Sequence, residues 1–135
     1  VIQPRHVLIF PRNPWFWFAC FAGWFGILWL LSSRSGDAGG LPPIPGLDKV
    51  AHFGYFLGGG GLLAAFFFRL RPRRPRWPLI VAMVFVVLAL VGWLDEYHQS
   101  HVPRRTGNDP GDWLADVCGA VSGALLFRRL HHLFR

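Results

Sequence analysis

The stretch LDEYHQSHVPRRTGNDPGDWLAD, residues 94–116, decides how the chain is read. An apolar run, LIVAMVFVVLALVGWL, leads into it, and another apolar segment, VCGAVSGALLF, follows. Five of the seven acidic residues of the chain, Asp95, Glu96, Asp109, Asp112 and Asp116, fall inside this one connection. Acids gathered between two hydrophobic helices raise a question that solubility alone does not answer.

Working outward, the composition is that of a membrane protein. Of 135 residues, 53% are hydrophobic and only 16% charged, with seven Trp and 13 Phe, and the mean hydropathy is +0.34. A soluble domain of this length cannot bury that much apolar surface. The formal charge is +7 and the isoelectric point near 11. The arginines flank apolar runs instead of lining a soluble face, which argues for headgroup contacts and topology signals and against nucleic acid. Cys20 and Cys118 sit in separate apolar segments without metal spacing and read as small buried residues.

Four spans are expected, at about 14–33, 49–68, 77–97 and 110–130, making an all-α, compact four-helix transmembrane bundle and a single domain over 1–135. The first apolar run is long for a cleaved leader and no cleavage site follows it, so it reads as a retained span. Ten of the 14 Lys and Arg lie in the N-terminal segment, the RLRPRRPR loop of residues 69–76 and the C-terminal segment. The positive-inside rule makes that side cytoplasmic, with both termini on it. All seven acids then lie toward the opposite side, Asp37 and Asp48 included.

Helical spacing gathers the polar residues. Asp48 and His52 are i and i+4, as are Asp95 and Gln99, with Glu96 beside them. Asp112 and Asp116 repeat the spacing, and Gly119 and Gly123 continue their face as a close-packing stripe. Asp116 lies a turn deeper than Asp112 and needs a partner, with Arg105, Lys49 and His52 as the candidates. Plainer roles compete: Asp109 before Pro110 reads as an N-cap, Asp48 as another, Arg104 and Arg105 as interfacial anchors. The Gly58–Gly61 run reads as packing, and His131 and His132 as a solvated tail. Three chemistries fit: acid–base work by His52 with a carboxylate, a divalent metal held by His52, His98 or His101 with the acids, or anion binding by Lys49, Arg104 and Arg105. The ligand spacing is not an established metal signature, so no cofactor or metal is assigned. Neither Ser32 nor Ser33 has an evident adjacent base.

Three motifs in order, Asp48-Lys49-x-x-His52-Phe53, Asp95-Glu96-x-x-Gln99-x-x-x-Pro103-x-Arg105 and Asp112-x-x-x-Asp116-x-x-Gly119, resemble the VanZ-like family over about residues 15–127. These are small multi-helix membrane proteins whose namesake is associated with low-level teicoplanin resistance. The resemblance implies a bacterial cytoplasmic-membrane, multi-pass protein with an extracytoplasmic polar site. It marks His52, Asp95, Glu96, Asp112 and Asp116 as candidate reacting groups and Asp48, Lys49, Gln99 and Arg105 as candidate binding groups. Arg104 stands where the family commonly has Gly, Asp116 where many members have Asn, and Tyr55 follows the motif His at three positions where four is usual.

The function expected is an envelope protein that binds or processes an envelope lipid, a lipid-linked wall precursor or a glycopeptide-like compound. Whether it is an enzyme is open on the sequence. An accessory subunit of a larger membrane complex, packing through WFWFACFAGWF and AAFFF, is the alternative, and a proton-coupled carrier using Asp116 a further one. Membrane lipids and other membrane subunits are the expected partners, and nucleic acid is not.

Overall fold

The computed structural model describes residues 10–35 and 44–134. Its elements are four helices, α1 (Pro14–Ser32), α2 (Leu47–Leu70), α3 (Trp77–Gln99) and α4 (Pro110–Leu130), and a closing 3₁₀ turn at His131–Phe134. No strand occurs among the described residues. Asp37 lies outside them.

Local chemistry sets the starts. Asn13 caps α1, its side chain accepting the Trp15 N–H at 2.9 Å, with Pro14 in the first helical position. Asp109 caps α4 in the same way, accepting the Gly111 N–H at 2.7 Å before Pro110. The cap of α2 is Gly46, whose φ of +79° suits a residue without Cβ. Asp48 is therefore not the cap but sits in the first turn, near the positive end of the helix dipole. The helix ends reach Leu47 and Gln99, beyond the spans expected at 49 and 97, so Asp48 and Gln99 belong to helices.

α2 and α4 run parallel and touch backbone to backbone. A Cβ on Gly60 would lie 2.1 Å from the Ala120 carbonyl oxygen, one on Gly119 2.2 Å from that of Phe53, and one on Gly123 2.0 Å from that of Leu57. Gly59 instead makes room for the Trp24 ring of α1. Gly58 faces open space, so the four-glycine run is a packing device at two of its positions, not throughout.

Around this seam the distribution of polarity is inverted relative to a soluble protein. Phe56, Val84, Leu88, Ala120 and Ala124 form a buried centre, while Trp15, Ile27, Leu30, Phe85, Leu90 and Trp93 are exposed. Cys118 also faces outward, contrary to the expectation of two buried cysteines, and Cys20 is half-buried. Meanwhile Asp95, Glu96, Gln99, Asp112 and Asp116 are buried. This is what lipid as solvent selects. Three helices, α1, α2 and α3, are long and apolar enough to cross a membrane. α4 has 21 residues but carries Asp112, Asp116, Arg128 and Arg129.

The two ends differ. At one, Phe68, Trp77 and Phe127 pack together, and His131 joins them 4.9 Å from the Trp77 ring. His131 is thus a packed residue, not a solvated tail one, because the 3₁₀ turn folds it back; His132 is exposed. The other end holds the acids. Gly60→Ala should destabilise the bundle by about 1–3 kcal/mol or more, since backbone cannot give way as a side chain can, whereas Gly58→Ala should be neutral or slightly stabilising. Unfolding of the two variants in micelles, measured side by side, checks the seam.

Candidate functional site

The acidic end is built from four elements. From α2, Lys49 extends its ammonium among three carboxylates, 2.9 Å from Asp112, 3.1 Å from Asp109 and 3.4 Å from Asp48. One turn deeper, His52 Nδ1 meets Asp116 Oδ1 at 2.9 Å. With a carboxylate as acceptor, Nδ1 carries the proton and donates, and Nε2 faces Asp112 Oδ2 at 4.0 Å. Asp116 is fully buried. α3 admits it through Gly92, where a Cβ would sit 2.8 Å from Asp116 Oδ2. Of the candidate partners for Asp116, His52 is the one that pairs with it; Lys49 serves the outer acids.

α3 and the following loop supply the rest. Gln99 donates through Nε2 to Asp95 Oδ2 at 2.8 Å, and its carbonyl oxygen accepts from Arg105 Nη2 at 2.9 Å. Ser32, at the end of α1, donates to the other Asp95 oxygen. The order is therefore Arg105–Gln99–Asp95–Ser32, so the cation expected to meet the acids directly reaches them through Gln99. Glu96 Oε2 accepts the Asp109 backbone N–H at 2.8 Å, tying the end of α3 to the start of α4. Its other oxygen, Oε1, and Asp116 Oδ2 are buried without a hydrogen-bond partner among the described residues.

Asp109 lies at the loop end. The Gly111 N–H, then Lys49, hold its carboxyl below the usual carboxylate value. A depressed folded pKa gives stability that is present at neutral pH and lost as pH falls through that depressed value.

The loop explains a departure in the motif. Arg104 has φ +61° and Asn108 φ +59°. Both are left-handed, a region that strains residues with a Cβ, Asn least. That is a physical reason for Gly to be common at position 104. Gly107 lets the loop fold back: a Cβ there would strike the Ser100 nitrogen at 2.2 Å.

Other candidates are placed elsewhere. His98 stacks on Trp29 at 4.0 Å between ring centres, and His101 bonds the Tyr97 carbonyl at 2.8 Å. Ser33 meets His98 Nε2 at 2.9 Å, but its hydroxyl donates to the Trp29 carbonyl at 2.6 Å. With that proton committed, His98 is the donor, and no activated nucleophile results. Tyr55 and Trp24 clasp α1 to α2, each donating to the other's carbonyl, at 2.8 and 3.1 Å.

Sequence reasoning missed α1. A cleft of about 380 Å³ opens between α1 and α2. Leu28, Leu31 and Phe56 form its apolar wall, His52 and Ser32 its polar side, and Arg34 and Arg105 also line it. Neither Ser32 nor Arg34 stands in a motif, though both close the aromatic first span at the end where the acids gather.

Compared with known families, residues 8–134 match VanZ/LLP1. The chain belongs to the VanZ/LLP1 family. Neither curated proteins nor solved structures give a match. The three VanZ-like motifs, apart in sequence, thus stand at one end of this family member's bundle, with Asp48 at the exposed edge and Asp116 at the buried centre. Arg104→Gly should raise stability by about 1 kcal/mol by releasing left-handed strain, while Arg105→Gly should not; paired thermal melts read the difference.

Proposed function

We propose that this VanZ-family protein binds an anionic amphiphile, an envelope lipid or lipid-linked wall precursor, in the cleft between α1 and α2. One observation carries the reading: the cleft joins an apolar wall to two guanidiniums and to His52, whose other side pairs with Asp116. Leu28, Leu31 and Phe56 suit an acyl or prenyl chain. Arg34 and Arg105 suit a phosphate, since guanidinium offers paired donors in the plane that phosphate oxygens accept. His52 stands where the head of such a molecule would lie and, backed by Asp116, can exchange a proton with it. Whether binding leads to processing depends on these last two groups.

In this reading all four helices span the bilayer as one domain. α4 lies against α2, which covers its small face, and its acids face the bundle. The polar end is extracytoplasmic, and the end with Arg12, the arginine loop and Arg128 and Arg129 is cytoplasmic. The subunit alternative has one observation in its favour: α1 exposes Trp15, Phe16, Phe18 and Trp29, away from the α2–α4 seam. Fixed-stoichiometry co-purification with other membrane subunits would favour it.

Two outcomes check the proposal. In a cysteine-free background, Ser100→Cys should react with an impermeant maleimide in intact cells and Arg73→Cys only after permeabilisation; the reverse pattern overturns the sidedness. The purified protein should retain phosphate-bearing lipid over zwitterionic lipid by native mass spectrometry. Arg105→Ala and Arg34→Ala should each weaken that retention roughly tenfold or more, the scale of a charge-assisted hydrogen bond, without preventing membrane insertion. Undiminished retention in both variants contradicts the cleft as the binding site.

A further inference from the structure

The polar end holds two triads that share the buried Asp112, one at the exposed rim and one deeper. The first, Asp48, Asp109 and Asp112, has its cation built in, because Lys49 Nζ stands within 3.4 Å of each carboxylate. The second is His52, Glu96 and Asp112, each offering one ligand atom, all within 4.8 Å of one another. No side-chain cation of the described residues pairs with Glu96. Glu96 is 3% exposed, its Oε2 is taken by the Asp109 N–H, and its Oε1 has no partner among the described residues. Buried carboxylate oxygens left without a donor or cation are costly, so such an atom marks a place where something binds.

We propose that His52, Glu96 and Asp112 form a binding site for a divalent first-row metal of the Zn²⁺ or Mn²⁺ class. The ligand chemistry fits: one imidazole nitrogen and two carboxylate oxygens suit these ions, whereas Ca²⁺ and Mg²⁺ prefer oxygen alone. The tautomer fits as well. Asp116 accepts the Nδ1 proton of His52 at 2.9 Å, which turns the Nε2 lone pair toward Asp112 Oδ2, 4.0 Å away. A carboxylate behind a ligating histidine is the usual support for a metal, orienting the ring and raising its basicity. Ligand atoms about 2.1 Å from a tetrahedral ion lie roughly 3.4 Å apart, so the triad needs a small contraction that carboxylate rotation supplies. Of the three, His52 lines the α1–α2 cleft and Glu96 a second cleft beside Trp93 and Trp113, so a fourth position can be reached from solvent-connected space. Three protein ligands and one open position are the pattern of metals that take an exchangeable oxygen ligand.

The inference uses the same polar cluster as the proposed function but is read without any amphiphile. Full-length protein in detergent, treated with chelator and then desalted, is titrated with Mn²⁺ and separately with Zn²⁺, with calorimetry giving stoichiometry and affinity. One ion per chain is expected, with Ca²⁺ and Mg²⁺ failing to compete at equal concentration. Glu96→Gln, which keeps the side-chain shape, and His52→Ala should each weaken binding at least tenfold, and Asp116→Asn, behind the histidine, should weaken it tenfold or more. His98→Ala and His132→Ala should bind like the parent. Pulsed EPR of the Mn²⁺ form should show a single imidazole nitrogen coupling that His52→Ala removes. Absence of saturable binding at millimolar ion, or binding unchanged in Glu96→Gln, or a nitrogen coupling that survives in His52→Ala, overturns the site. Loss of lipid retention in the arginine variants with metal binding intact would separate the two readings, as would the converse.

Discussion

The rest of the structure depends on the close contact of α2 with α4. Phe53 and Leu57, four residues apart on one helix, present carbonyls to Gly119 and Gly123, four apart on the other. Two parallel helices meeting at equal intervals cannot slide without driving a carbonyl into a chain atom. That fixed register places Lys49 opposite Asp112 and His52 opposite Asp116. The polar end is thus aligned by close packing that begins directly beneath it, at residues with almost no side chain.

Register in turn makes the electrostatics possible. Asp116 has no exposed surface, so no solvent relieves its charge. Its neighbours do so instead: a histidine on α2 donates to it, and Gly92 on α3 leaves space beside it. The outer acids are balanced by Lys49, and Asp95 by Gln99 and Ser32. Satisfaction weakens toward Glu96, whose Oε1 stands alone among the described residues. Asp116 Oδ2 likewise has no hydrogen-bond partner among them, and a buried network satisfied at most positions but not at these two is where chemistry has room to enter.

Much of the fold was legible in the sequence. Asp109-Pro110 announces one helix start through cap chemistry, and apolar length announces the helices. The i, i+4 spacing of Asp48 with His52 and of Asp112 with Asp116 gives each helix its polar face. What it cannot give is rotation of one helix against another. In α1, apolar and aromatic residues occupy every face, because lipid and core accept the same side chains. Periodicity therefore did not reveal that Trp17, Phe21, Trp24 and Leu28 turn inward, nor that Ser32 at the end of that stripe would meet Asp95. The same blindness put Arg105 directly on the acids, where a glutamine intervenes, and drew His98 and His101 toward a cluster from which aromatic and carbonyl contacts hold them away. Asp48 was open to reading as a cap because an acid just before an apolar run suits that role, although Pro45-Gly46 marks a type II turn whose left-handed glycine takes it.

The central claim is that the N-terminal turns of α2 and α4 share one buried polar interaction. A double-mutant cycle between His52→Ala and Asp116→Ala, read from reversible unfolding in micelles, tests it most directly. The account predicts a coupling of about 1–3 kcal/mol, the scale of a buried charge-assisted hydrogen bond. Additive effects, within about 0.5 kcal/mol, would show that the two side chains do not meet, and would contradict the register on which the site is built.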